Sequence, residues 1–188
     1  MAGGRSRRLG RDKALLVAGG ETLLVRALRI VGEVTAEQFI IGPAERREQA
    51  SGVRVLADEL PGSGPLGGIC TALRAASHDH LLVVACDMPF LNPDLLRCLL
   101  SLADGYDVVL PRVDGRGEQL HAVYARSCIE PIAAQLQAGD FKIDRFFTRV
   151  RVRSVDEDEL RRHDPDLRSF RNVNTPEDWA EALALLAE

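Results

Sequence analysis

Six apolar residues in a row, Leu81-Leu-Val-Val-Ala-Cys86, run straight into Asp87-Met88-Pro89, and no other stretch limits the fold as strongly. A strand with no polar position presents both faces to apolar neighbours, as a central strand of a parallel sheet covered by helices does. Further strand-like stretches at 38–42, 53–57, 108–111, 120–125 and 150–155, shorter or interrupted by polar residues, alternate with helical patterns. Thr22 is placed to cap a first helix, Asn92-Pro93 to open a leucine-rich one, and Thr175-Pro176 to open the last. This alternation, without repeats or low-complexity linkers, predicts an α/β architecture over residues 1–188 as a single domain. In open sheets of this kind ligands bind beyond the carboxyl ends of the strands, where Asp58 and Asp87 fall.

A carboxylate at the exit of a buried strand suits Mg²⁺, a hard cation that takes one or two carboxylates together with substrate phosphates. The competing structural role, capping the following helix, fits Asn92 better than Asp87. At the start of the chain Gly3, Gly4 and Gly10 stand among Arg5, Arg7, Arg8, Arg11 and Lys13. Glycines allow backbone N–H groups to converge on an anion, and the cations add charge for phosphate oxygens. The segment reads either as a polyphosphate cradle or as a solvated basic arm. It is not a Walker loop, because Gly10 is followed by Arg11 rather than Lys.

With a net charge of −4 the basic character is local, which argues against nucleic acid as a partner. No apolar run approaches membrane-spanning length, and no signal peptide precedes the glycines, so the expected location is cytoplasmic. Cys70, Cys86, Cys98 and Cys128 are scattered without a C-x-x-C pair and read mostly as core thiols in a reducing compartment.

Three further features bear on ligands. Gly62-Ser-Gly-Pro-Leu-Gly67 matches the dinucleotide pattern, but residues 58–61 separate it from the preceding strand, so NAD-dependent dehydrogenase chemistry is a minor alternative. His121 is as well explained by a structural role as by a functional one. Asn172 and Asn174 flank Val173 in extended chain, so both amides should face one way and suit a polar ligand.

Five segments taken in order, Ala2-Gly-Gly-Arg-Ser-Arg-Arg-Leu-Gly-Arg-Asp-Lys13, Pro61-Gly-Ser-Gly-Pro-Leu-Gly-Gly68, Ala85-Cys-Asp-Met-Pro-Phe90, Leu120-His-Ala-Val-Tyr124 and Asn172-Val-Asn-Thr-Pro-Glu-Asp178, resemble the molybdenum cofactor guanylyltransferases. The resemblance spans nearly the whole chain. It implies a three-layer α/β/α Rossmann-like nucleotidyltransferase fold with a mostly parallel sheet, and transfer of GMP from GTP to molybdopterin with release of pyrophosphate. It further implies Met1, Ala2, Gly3 and Gly4 on the nucleotide, Arg8 and Lys13 on the phosphates, Asp58 near the nucleoside and Asp87 on Mg²⁺. Gly64, Pro65, Leu66, Gly67, His121, Asn172 and Asn174 would line the pterin side. Downstream partners would be molybdoenzymes or their chaperones, and the enzyme is expected to be a monomer.

CTP-using relatives carry Ala-Ala-Gly and Cys-Asp-Gln-Pro where this chain has Ala2-Gly3-Gly4 and Cys86-Asp87-Met88-Pro89, which favours the guanylyl branch. Gly42 replaces an Asn that some family members use at the base. The family also has an apolar strand ahead of the glycine loop. Here Met1 stands at its end, so the fold is expected to lack its first strand, through a start assigned too far downstream or because the chain is an inactive nucleotide-binding remnant.

Overall fold

The computed structural model describes residues 1–2, 12–48, 52–60 and 62–187. In chain order the strands are β1 (Val17–Ala18), β2 (Glu21–Thr22), β3 (Phe39–Ile41), β4 (Arg54–Leu56), β5 (His80–Val84), β6 (Val108–Val113), β7 (Arg116–Gly117), β8 (His121–Ala125) and β9 (Val152–Val155). The α-helices are α1 (Leu23–Gly32), α2 (Gly64–Ala75), α3 (Pro93–Ser101), α4 (Ile129–Gln137), α5 (Glu157–Leu160) and α6 (Pro176–Leu186).

The helix starts are set by short polar side chains that accept otherwise unpaired first-turn amides. Thr22 accepts from Val25 N–H, and Asn92 accepts from the N–H groups of Asp94 and Leu95. Thr175 and Asp178 form a reciprocal capping box with Pro176 at the first helical position. Asn92 thus does the capping, and Asp87 is left for another purpose.

β5, β8 and β6 lie side by side, β9 pairs parallel with β6, and β3 pairs parallel with β4. β8 runs antiparallel to both of its neighbours and is the reversed strand of the otherwise parallel set. Asp114 and Gly115, both at positive φ, form the two-residue turn between β6 and β7. Side chains alternate across the sheet. Val108, Leu110, Ala122 and Tyr124 pack with α2 and α4, whereas Val109 and Val123 join Leu95 and Leu99 of α3 on the opposite face. Helices on both faces give the three-layer α/β/α arrangement.

Among the described residues, Met1 and Ala2 bridge β3 and β5. Met1 donates its amine to Val84 O at 2.8 Å and accepts from Cys86 N–H at 3.1 Å, while Ala2 N–H donates to Ile41 O at 2.9 Å. One residue bonding to partners on either side of Ala85 is the pattern of a parallel ladder. Beyond Met1 the gap opens into a cavity of about 300 Å³, bounded by β3, β5, Ala27, Leu28 and Val31 of α1 and Ala72 of α2. The apolar run of β5 accordingly borders the cavity instead of being sealed: Leu81, Leu82 and Val84 are only half-buried.

Candidate active site

The site gathers at the carboxyl end of β5. Backbone pairing continues past Val84 as Ala85 N–H donates to Leu120 O and Cys86 N–H to Met1 O, so Asp87 leaves the sheet from a fixed position. Arg26 of α1 steadies the turn beyond it by donating to Pro89 O at 2.8 Å. Asp87 O accepts from Val173 N–H at 2.9 Å, which ties the segment before α6 to the same point.

Lys13 enters from the opposite side on a single helical turn, residues Lys13–Leu15, capped by Asp12, whose Oδ1 accepts from Ala14 N–H. Its ammonium donates to Asp87 Oδ2 at 3.0 Å and to Asn174 Oδ1 at 2.7 Å. A cation, a carboxylate and an amide from three distant parts of the chain therefore meet, partly open to solvent. Asp178, which accepts from the N–H groups of Asn174 and Thr175, is held below the usual carboxylate range by those bonds.

Asn172 does not join this cluster. Its Nδ2 donates to Phe170 O at 3.4 Å, and it borders a separate cleft with Phe90, Arg171 and Asp178. Asp58 organises the approach to α2: Oδ1 accepts from Leu60 N–H at 3.0 Å and Oδ2 from the Ser63 hydroxyl at 3.4 Å. A Cβ on Gly67 would collide with Ser63 at the start of α2, and one on Gly68 would collide with the Met1 side chain and crowd Ile41, so Gly68 lets α2 pack close to the end of β3. Seven residues, 57–63, separate β4 from α2, so the tight strand-to-helix turn of a dinucleotide loop is absent.

Two expected ligand contacts are corrected. Leu66 is 0% exposed in the main core with Ile69, Cys70 and Leu73, because α2 turns its apolar stripe inward. Of the 64–67 segment, Gly64 and Pro65 are exposed, whereas Gly67 is buried. His121 is also 0% exposed, with its ring 4.6 Å from that of Phe170 and neither nitrogen hydrogen-bonded among the described residues. Burial lowers its pKa to about 4, against a weak opposing influence from the Ser169 backbone, so the ring is a neutral core group. Gly3, Gly4 and Arg8 lie outside the described residues.

Arg46, in the helical turn Ala44–Glu48 after β3, is 4% exposed and reaches both Ala2 O and the Asp12 carboxylate. Nothing in its local pattern marks it, since Ala2 and Asp12 are 44 and 34 positions away. Burial raises the pKa of all four thiols, Cys128 to about 12, which makes poor nucleophiles of them.

Residues 1–155 match the model of the MobA-like NTP transferase domain. The chain belongs to this family. It is 43% identical over 182 residues to the "Probable molybdenum cofactor guanylyltransferase" of Pelotomaculum thermopropionicum, covering 97% of this chain and 89% of that one. With the molybdenum cofactor guanylyltransferase of Desulfosudis oleivorans it shares 34% identity over 188 residues, covering 99% and 93% of the two chains. The crystal structure of molybdopterin-guanine dinucleotide biosynthesis protein A from Archaeoglobus fulgidus superposes with a TM-score of 0.84 at 28% identity, covering 99% and 96%. Asn174, which completes the cluster, lies beyond the part matched by the domain model.

Proposed function

We propose that this chain transfers GMP from GTP to the terminal phosphate of molybdopterin, releasing pyrophosphate and forming a guanine dinucleotide. The observation that carries the reading is the convergence of Lys13, Asp87 and Asn174 at the end of β5, in a chain whose full-length relatives bear the guanylyltransferase name. The new bond joins a molybdopterin phosphate oxygen to the α-phosphorus of GTP, and the bond between that phosphorus and the bridging α–β oxygen breaks. Little covalent work falls to the protein in such a displacement, so positioning and charge neutralisation dominate.

Lys13 would neutralise negative charge developing on the phosphates, and Asn174 directs its ammonium. Asp87 offers a single partly exposed carboxylate, and no group of three metal-ligating side chains occurs among the described residues. That donor set fits Mg²⁺ held largely by substrate phosphates and water, rather than a closed protein cage. When bound, the ion would neutralise phosphate charge. Asp58, Gly64 and Pro65 lie at the entrance of α2, suited to contact substrate by backbone and carboxylate.

Incubating the purified chain with α-labelled GTP, Mg²⁺ and molybdopterin should give labelled dinucleotide and one pyrophosphate per transfer. Product from CTP but not GTP would replace the guanylyl reading by a cytidylyl one. Tight GTP binding without any transfer would reduce the chain to a nucleotide-binding remnant.

A further inference from the structure

Arg46 carries a charge in a place where an arginine is rarely left without work. It sits in the helical turn Ala44–Glu48 after β3, and its side chain turns inward to become 4% exposed. Burying a guanidinium is costly unless paired charges and hydrogen bonds offset the lost hydration. The partners are specific. Nε and Nη2 both donate to Ala2 O at 3.3 Å, and Nη2 lies 2.8 Å from Asp12 Oδ1 and 2.6 Å from Oδ2.

Ala2 and Asp12 are the residues on either side of the glycine- and arginine-rich segment 3–11. One guanidinium therefore holds Ala2 and Asp12 together. Each of them leads into the site. Asp12 caps the turn that delivers Lys13 to Asp87. Ala2 follows Met1, whose carbonyl accepts from Cys86 N–H, one residue before Asp87.

We propose that Arg46 is a positioning residue for nucleotide binding: it clamps Ala2 and Asp12 together and so fixes Lys13 relative to Asp87. The proposal rests on the nucleotidyltransferase reading above. A planar fork can serve the carbonyl and the carboxylate at once, whereas the point charge of a lysine can align with only one of them well. Ala2 itself is buried with Ala14, Leu24, Ile40 and Val55, so the clamp is anchored in the core and not in a surface network.

The test uses the full chain with substitutions Arg46→Lys, Arg46→Ala and Asp12→Asn. Binding of a fluorescent GTP analogue is measured by titration, alongside the KM of each substrate and the melting temperature. Arg46→Lys should weaken nucleotide binding by about tenfold or more, the scale expected when reacting groups shift by a fraction of an ångström, and leave the KM for molybdopterin within about twofold. Methylguanidinium at millimolar concentration should restore part of the nucleotide affinity of Arg46→Ala, which a purely structural role would not predict. Asp12→Asn, at a more exposed position, should fold and weaken nucleotide binding in the same way, so the proposal remains testable if the Arg46 variants unfold. Wild-type affinity in Arg46→Lys, or in Asp12→Asn, would overturn the clamp. A wild-type chain that binds nucleotide but transfers nothing to molybdopterin would instead overturn the proposed reaction and leave the clamp to be judged on binding alone.

Discussion

Lys13 donates to the Oδ1 of Asn174 at 2.7 Å, joining parts of the chain 161 positions apart beside the carboxylate of Asp87. The contact makes the segment before α6 part of the site and not merely the end of the fold. Val173 explains how the segment is held: its N–H donates to Asp87 O, and its side chain is buried with Leu16, Leu23 and Ala182. The two asparagines on either side are thereby turned away from the core, and only the second reaches the ammonium.

Replacing Asp87 with Asn should lower kcat for nucleotide transfer by at least about 100-fold, the scale of losing one charged stabilising group at a reacting centre. Stability should change little, because the Asp87–Lys13 pair is partly exposed and such pairs contribute about 1 kcal/mol or less. The backbone bond from Val173 to Asp87 O survives the substitution. Steady-state pyrophosphate release and a thermal melt on the same preparation check both halves, and retained turnover would remove Asp87 from the chemistry.

Asn174→Ala removes the acceptor that directs Lys13 but leaves its salt bridge to Asp87. The expected effect is smaller, about three- to tenfold in kcat/KM, in line with one charge-assisted hydrogen bond at an exposed position. Asn172→Ala should leave Lys13 undisturbed, because Asn172 has a different neighbourhood. Equal losses in the two variants, measured side by side, would contradict this division.

His121 predicts a pH window. Its folded pKa of about 4 lies below the unfolded value near 6.5, so between these pH values the unfolded chain binds more protons. Stability is therefore lost as pH falls from about 6.5 to 4, by up to about 3 kcal/mol from this residue. Urea midpoints for wild type and His121→Leu at pH 7 and pH 4.5 should converge or cross toward acid, as only the wild type carries the penalty. Asp107 titrates in a lower window. Hydrogen bonds from Arg151 and Ser127 hold its pKa at about 2, so its contribution is lost only as pH falls from about 3.8 toward 2.

Much of the fold was legible because its signals are local. The caps at Thr22, Asn92 and Thr175 and the strands around Ile40, Val55 and Val109 follow from turn chemistry and apolar patterning within a few residues. The direction of β8 was not: all of His121–Ala125 is buried, and a fully buried run looks the same in either direction. The same run hid the nature of His121, whose ring faces Phe170 from a distant part of the chain. Lys13, Asp87 and Asn174 were each legible as chemistry-bearing residues, but their meeting depends on three elements being placed correctly. Arg46 was invisible because Ala2 and Asp12, which it holds, are remote from it in sequence.

The cavity between β3 and β5 carries the last prediction. Met1 and Ala2 already make parallel-ladder bonds to Val84, Cys86 and Ile41, and the cavity continues this line along both strands. An extended segment of about five apolar residues fused ahead of Met1 would find main-chain partners on both sides and helices α1 and α2 above and below, the surroundings in which both faces of a strand are buried. The Met1 nitrogen, whose charged form is disfavoured by burial, would become a neutral amide in the same bond to Val84 O. A gain of at least about 3 kcal/mol is expected from apolar burial and paired amides, which for a chain of this size raises Tm by roughly 6–12 °C. The same extension with alternating Lys and Asp should give no rise, because its charges would have to be buried without partners. Calorimetric melts of the two fusions beside the unextended chain decide the matter: equal Tm values in all three would mean that the cavity does not accept a strand.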